Sequence, residues 1–219
     1  MQHFLAGKGY VRTDIDDELN GYYLFKDNKA DTLAVAHMDT VFPSNVPMIY
    51  DGKIYSPGVD NRIGVYIIDE LLAKKNIKCD ILFTTNEERL MSSGRAFRTE
   101  KKYNFIFSFD RMGDDIAMYQ YLEHGDKFNA VLEDSGFKLS RGSYSDIADL
   151  QLGCKGMNVG IGYNNNPHSL DAYVDLEIVI NQLNKFYDFW QENHKTKYVH
   201  KLNNHVYLEE LLVGWAKEL

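Results

Sequence analysis

The sequence has little of what would crosslink, stiffen or anchor a chain. Four prolines and sixteen glycines in 219 residues exclude a collagenous, low-complexity or linker-dominated protein. The two cysteines, Cys79 and Cys154, sit in apolar, strand-like contexts and read as buried free thiols. That excludes a disulfide framework and points to a reducing, cytoplasmic setting. No apolar run approaches the roughly 20 residues that cross a bilayer. The opening Met1-Gln2-His3-Phe4-Leu5-Ala6-Gly7-Lys8 lacks the extended apolar core of an export signal, so no membrane partner is expected. Positive charge is short as well. Lysine and arginine number 24 against 32 acids, a net charge of −8, and without clustered cations to meet phosphates no nucleic-acid partner is expected. What is there is an ordinary globular composition, 44% hydrophobic and 26% charged, with no segment depleted enough to be disordered. The length suits one domain with a full core.

The organising stretch is Thr84-Thr85-Asn86-Glu87-Glu88. It follows the strand-like run Cys79–Phe83, so two adjacent carboxylates stand where a strand leaves a sheet, and such a pair calls for a nearby cation. The same arrangement recurs. Thr32–Ala36 reads as a strand and delivers His37-Met38-Asp39; positions i and i+2 share a face, which suits an imidazole ligand steadied by Asp39, directly or through the loop. Tyr103–Phe109 reads as a buried strand with Asp110 at its end, and Met157–Ile161 as a strand running into an Asn/Pro-rich loop that holds His168. Asp60 follows Ser56-Pro57-Gly58 and precedes an apolar helical stripe of Ile63, Val65, Ile67, Ile68, Leu71 and Leu72, a position that also suits a plain N-cap.

The remaining pieces fit alternating strands and helices. Strands are expected at Gly21–Phe25 and Asp115–Tyr121, a hairpin turn at Asp51-Gly52, and helices over Ser92–Glu100, Lys127–Glu133 and Val174–Trp190. Arg141–Asp146 reads as a polar loop. Residues 1–195 form a single α/β domain, and 196–219 a C-terminal tail with a helical stripe over Val206–Leu219, packed on the core or on another subunit. His194, His200 and His205 in that region have no accompanying carboxylates and read as solvated. Alternating elements predict an α/β sheet with helices on its faces and a site outside the carboxyl ends of the strands. A two-metal hydrolytic site needs ligands for two ions roughly 3.5–4 Å apart and a free carboxylate as base. Asp60 flanked by one histidine and one acid for each ion meets that count.

Five motifs carry a resemblance: Ala36-His37-Met38-Asp39-Thr40-Val41, Gly58-Val59-Asp60-Asn61-Arg62-Ile63-Gly64, Thr85-Asn86-Glu87-Glu88, Asp110 and Pro167-His168-Ser169. In this order they resemble the co-catalytic zinc exopeptidases: metallo-aminopeptidases, carboxypeptidases, dipeptidases and N-acyl amino-acid amidohydrolases. The resemblance covers residues 30–190 and implies a three-layer α/β/α fold around a mixed, mostly parallel sheet. It implies two divalent ions, zinc foremost with cobalt or manganese as alternatives. His37 and Asp110 would hold one ion, Glu88 and His168 the other, and Asp60 would bridge them. Glu87 would be the general base and Asp39 the partner of His37, with a cis peptide at Asp60-Asn61 as in many relatives; Asn61 stands where many of them carry a second acid. The activity implied is amide hydrolysis in short peptides, with Glu87 moving the proton of the attacking water.

Many relatives insert a lid or dimerisation domain after the equivalent of Asp110, and here the interval to Arg141 is too short for one. Arg141 becomes a candidate for a substrate carboxylate, beside the plainer reading as an exposed structural arginine. The compact layout is similar to single-domain aminopeptidases, while the His-Met-Asp-Thr-Val wording is nearer the lidded carboxypeptidases and dipeptidases. Deacylation of an N-acyl amino acid and a non-catalytic binding role on the same fold stay open. The acidic surface and helical tail are compatible with a homo-oligomer.

Overall fold

A computed structural model describes residues 2–16, 18–42, 46–118, 127–142, 144–150, 152–164 and 166–200. Its strands are β1 (Val11–Asp14), β2 (Tyr22–Lys26), β3 (Thr32–His37), β4 (Met48–Tyr50), β5 (Lys53–Tyr55), β6 (Asp80–Thr84), β7 (Phe105–Met112), β8 (Ile116–Met118), β9 (Leu139–Arg141), β10 (Gly156–Tyr163) and β11 (Tyr173–Asp175). Its helices are α1 (Gln2–Leu5), α2 (Arg62–Tyr66), α3 (Leu72–Lys74), α4 (Lys127–Asp134), α5 (Asp146–Leu150) and α6 (Leu176–Asn193), and a π turn at Ile67–Leu71 joins α2 to α3. The strands form one 11-stranded sheet in the order β1-β2-β6-β3-β7-β10-β11-β5-β4, with β8 against β10 and β9 against β8.

The middle of this sheet is parallel. β6, β3, β7 and β10 run the same way, and antiparallel β2 and β11 flank them. Every residue of β3, β6 and β10 is buried, as expected of strands covered on both faces, whose sequences run apolar rather than alternating. On one face Phe105, Phe107 and Phe109 meet α6: the Phe107 and Phe186 rings lie 4.6 Å apart and the Phe105 and Phe189 rings 5.4 Å apart. Lys75, just past α3, bonds Asn184 of α6 at 3.1 Å, so α2, α3 and α6 share that face. On the other, Ile106 of β7 and Ile147 of α5 close over Gly156, where a β-carbon would come within 2.8 Å of both. The result is a mixed, mostly parallel α/β sandwich. α2 reaches the sheet through Gly64, where a β-carbon would lie 2.5 Å from the Phe109 carbonyl oxygen and 1.9 Å from Asn61 Oδ1.

Several sequence expectations are corrected here. Ser92–Glu100 is not a helix: a 3₁₀ turn spans Ser93–Ala96 and Phe97 turns extended. Ser92 Oγ accepts from Gly94 N and fixes a tight start, and Phe97 then packs its ring against Phe25 and Tyr23 of β2, which outweighs continuing the helix. β7 runs on past Asp110 to Met112, because its pairing with β10 continues to Met112 opposite Tyr163. The first residues of the expected closing helix form β11 against β5, and Asp175 caps α6 by accepting from Glu177 N and Ile178 N. Asp51 and Gly52, with φ of 47° and 70°, form the turn between β4 and β5. Between Asp110 and Asp146, β8, α4 and β9 extend the core, and no lid domain occurs among the described residues. Residues 196–200 pack on the core, where Tyr198 is buried and Lys155 N donates to its carbonyl at 2.8 Å. The helical stripe Val206–Leu219 and His205 lie outside the described residues.

Candidate metal centre

Four parallel strands direct their carboxyl ends to one place. β3 ends in His37, whose ring is buried and whose Nδ1 lies 2.9 Å from the backbone oxygen of Asp39. With Nδ1 held at that carbonyl, Nε2 faces the site. The Asp39 carboxylate is farther from the ring, at 3.6 Å, and instead accepts from the backbone N–H groups of Glu87 and Glu88 at 3.4 and 3.2 Å. The expected tie between Asp39 and His37 therefore runs through the backbone, and Asp39 stands behind the site.

β6 leads into Thr85 and then Asn86, whose φ of 66° is left-handed, a conformation asparagine tolerates. The chain closes on itself beyond: Met91 N bonds Asn86 O at 3.1 Å and Ser93 N bonds Thr85 O at 2.8 Å. Asp146, at the start of α5, accepts from Thr84 Oγ1 at 2.7 Å and from Ser92 Oγ, which clasps the base of this loop. Asp110 is held in β7 by a reciprocal pair with Asn158 of β10, its N–H donating to Asn158 Oδ1 at 2.9 Å and its carbonyl accepting from Asn158 Nδ2 at 3.3 Å. The Asp60-Asn61 peptide is cis. Asn61 Oδ1 accepts from Gly64 N at 3.0 Å and from the Tyr163 hydroxyl at 3.2 Å, which anchors Asp60 between α2 and β10.

These elements bring His37, Asp60, Glu87, Glu88, Asp110 and His168 together. His37 Nε2 lies 3.3 Å from Asp60 Oδ1, 3.6 Å from Asp110 Oδ1 and 3.7 Å from Glu87 Oε2. His168 Nε2 lies 3.1 Å from Asp60 Oδ2 and 3.1 Å from Glu88 Oε2. Ligand atoms of His37, Asp60 and Glu88, and likewise of His37, Glu87 and Asp110, fall within 4.8 Å of one another. Arg141 ends β9, exposed, and does not line the cavity that these residues form.

The electrostatics are those of acids crowded away from water. Burial and the neighbouring carboxylate of Asp60 hold the Asp110 carboxyl well above its ordinary range despite His37. Burial raises Glu87 to about 8, with His37 opposing and Asp146, Asp60 and Glu88 adding. Burial raises Glu88 as well. Asp60 goes the other way: burial opposes its ionisation, but the hydrogen bond from His168 and the nearby His37 ring prevail. For the His37 ring, burial opposes charging and the carboxylates led by Asp110 override it, raising its pKa well above the ordinary value. A hydrogen bond to Asp60 raises His168.

Among the described residues no lysine or arginine forms an ion pair with Asp60, Glu87, Glu88 or Asp110. Asp60 Oδ1, Glu88 Oε1 and Asp110 Oδ1 are buried with no hydrogen-bond donor, as is Asp146 Oδ2. Unmatched carboxylate oxygens in a buried acidic cluster are costly. Divalent cations remove that cost, and the imidazole and carboxylate donors are those zinc takes, so the residues fit a metal centre.

The cavity encloses about 250 Å³. Beyond the candidate ligands, Glu87 and the motif residue Pro167, it is lined by Leu90, Arg111, Met112, Gly142, Tyr144, Asn158 and Tyr163, residues that sequence reasoning did not assign to the site. Arg111 and Met112 directly follow Asp110 and could have been found as continuations of a ligand-bearing strand; Asn158 and Tyr163 lie within a buried strand and carry no such signal.

Comparison at the sequence level finds no matching family and no matching curated protein. Solved structures do match. The aminopeptidase PepT of Bacillus cereus superposes with a TM-score of 0.61 at 15% identity, over 89% of this chain and 91% of that one. A tripeptidase of Staphylococcus aureus gives 0.62 at 11% identity, over 89% and 91%. The TET1 peptidase of Pyrococcus horikoshii, which can assemble into a tetrahedron or a large octahedral shell, gives 0.57 at 11%, over 85% and 92%. At these identities the likeness is one of fold. The chain has the compact fold of these peptidases, as the resemblance of its motifs implied.

Proposed function

We propose that the protein is a metal-dependent hydrolase that cleaves an amide bond in short peptides, as an exopeptidase. The observation that carries this reading is the shared carboxylate: Asp60 presents one oxygen to His37 and the other to His168, so two ligand sets meet at one residue. His37, Asp60 and Asp110 would hold one divalent ion, and Glu88, Asp60 and His168 a second, zinc foremost. Such ions, when bound, polarise the amide carbonyl and lower the pKa of water.

The chain's own residues do the rest. Glu87 lines the cavity beside both ligand sets and, among the described residues, pairs with no lysine or arginine, which suits a general base that takes a proton from the attacking water and delivers it to the leaving amine. Burial and the surrounding carboxylates raise its pKa in the metal-free site, and bound cations would lower it, leaving the carboxylate ionised and able to accept a proton. Asp39 holds the Glu87 and Glu88 amides and, through its carbonyl, the His37 ring, so base and ligand keep one orientation. The proposal includes a reducing cytoplasmic setting, suited to the buried free thiols of Cys79 and Cys154, and self-association, for which the assembling Pyrococcus horikoshii peptidase of the same fold is the precedent.

The test is metal content per chain on protein purified without chelator, followed by a panel of aminoacyl, carboxy-terminal and N-acyl amide substrates. Metal-dependent release of an amine from one substrate class supports the reading. No retained or restorable metal, and no turnover, would refute it.

A further inference from the structure

Leu90 sits where a leucine is badly placed. It follows the Glu87–Arg89 turn with φ of 57°, the left-handed region that residues bearing a β-carbon avoid and bulky ones avoid most. Loop closure enforces it: Leu90 N bonds Glu87 O at 2.8 Å, Met91 N bonds Asn86 O at 3.1 Å, and the Arg95 guanidinium holds the Leu90 carbonyl at 3.2 Å. Burial does not compensate, because Leu90 is 67% exposed. Glycine or asparagine would meet the backbone requirement at lower cost, so neither the turn nor the core accounts for this side chain.

What the side chain does is line the cavity. Met112, 44% exposed at the end of β7, and Pro167, next to His168, line it too. The cavity thus has charged walls and an apolar contribution from three separate elements. Arg111 is the one permanent cation among the described lining residues, and it is already engaged by Asp115, at 2.6 Å through Nε and 3.1 Å through Nη2, and by Ser140 Oγ at 3.1 Å. An acidic side chain entering here meets carboxylates and no free cation; an apolar one covers leucine and methionine that water otherwise wets.

We propose that Leu90, with Met112, forms the subsite for an apolar substrate side chain, so that the preferred substrates carry a leucine-, methionine- or phenylalanine-like group beside the scissile amide. This rests on the metal-hydrolase reading above. Leu90 and Met112 are specificity-determining residues and take no part in the chemistry.

The test is calorimetric titration of the zinc-loaded protein with leucine, glycine and glutamate hydroxamates, for wild type and Leu90→Gly, with Tm recorded for both. The expected result is that wild type binds the leucine compound about tenfold or more tighter than either of the others, in line with the selectivity an apolar pocket achieves. Leu90→Gly loses most of that advantage, keeps its glycine-hydroxamate affinity and has an unchanged or higher Tm, since glycine accepts the left-handed backbone. Equal binding of leucine and glycine hydroxamates by wild type, or an advantage that survives in Leu90→Gly, would overturn the subsite. Absence of binding by all three compounds in protein that retains zinc would also overturn the subsite, whereas failure of the protein to load zinc would overturn the metal-centre reading itself, and the subsite with it.

Discussion

The two oxygens of Asp60 face two histidines, Oδ1 3.3 Å from Nε2 of His37 and Oδ2 3.1 Å from Nε2 of His168. In the proposed centre this carboxylate is common to a buried half-site with Asp110 and a more open one with Glu88. Removing it strikes both halves, whereas removing any other ligand strikes one. Asp60→Ala is expected to lower bound metal from about two ions per chain to near none, while His168→Ala keeps about one. Elemental analysis after gel filtration reads the difference; equal loss in both variants would argue against the shared role.

In the proposed reaction Glu87 is adjacent to a ligand but distinct from it in task. Glu87→Gln preserves shape and removes the base, so metal content should be unchanged and kcat should fall by about 10²–10⁴ with KM little altered. Steady-state kinetics with the best substrate of the panel decide it, and unchanged kcat would remove Glu87 from the role.

In the metal-free protein the crowded acids titrate in a way that fixes the sign of a pH effect. Glu87 rises from an ordinary 4.5 to about 8 in the folded state, so its contribution to stability is present below about 4.5 and is lost as pH rises through 8. His37 and His168 are raised from 6.5, so theirs is present below 6.5 and is also lost as pH rises. Chelator-treated protein should therefore have a lower Tm at pH 8 than at pH 5. Metal binding must displace those protons, so affinity should rise over the same interval with proton release, seen as a dependence of the binding heat on buffer ionisation enthalpy. A metal-free Tm that climbs from pH 5 to 8 would contradict this account.

Asp110 gives the complementary stability test. Its buried Oδ1 has no donor and its neighbour Asp60 is an acid. At a pH above the raised pKa of Asp110, where the acid is ionised beside Asp60, Asp110→Asn should raise the metal-free Tm by a few degrees, through relief of about 1–2 kcal/mol of repulsion, and at neutral pH it should weaken metal retention. Differential scanning calorimetry with and without chelator measures both; a lower metal-free Tm would show that the cluster is not repulsive.

Gly64 sets how closely α2 approaches the sheet. A β-carbon there would lie 2.5 Å from the Phe109 carbonyl and 1.9 Å from Asn61 Oδ1. Gly64→Ala is expected to cost about 3 kcal/mol or more and to disturb Asp60 through Asn61. Chemical denaturation gives the size, and a loss under about 1 kcal/mol would mean that the helix shifts freely.

The parts of this architecture that could be read from the sequence share a physical cause. Thr32–His37 and Asp80–Thr84 are buried on both faces, so their apolar runs stand out against polar exits, and the histidine and acids at those exits were visible as a set. Asp60 was visible only through its neighbours, since Pro57 and Gly58 before it and a helical stripe after it mark any helix start. What stayed hidden depended on contacts between distant segments. Phe97 leaves its turn to pack on β2, so the apolar spacing of Ser92–Glu100 imitated a helix that does not form. Asn158 looked like an ordinary position in a buried strand until it proved to bracket Asp110 from the next strand. Leu90 carries no sequence signal at all, because its meaning lies in a backbone angle.

The half-sites differ in their access to solvent. The side chains of His37 and Asp110 are 1% and 6% exposed, that of His168 48%. An ion at the outer position would exchange with its surroundings quickly and one at the inner position slowly. In the proposed centre the inner ion would then record the conditions of folding, and the outer ion would report the medium of the moment. Protein folded on one metal and later moved to another would become a mixed-metal species, with turnover following the second metal and thermal history following the first.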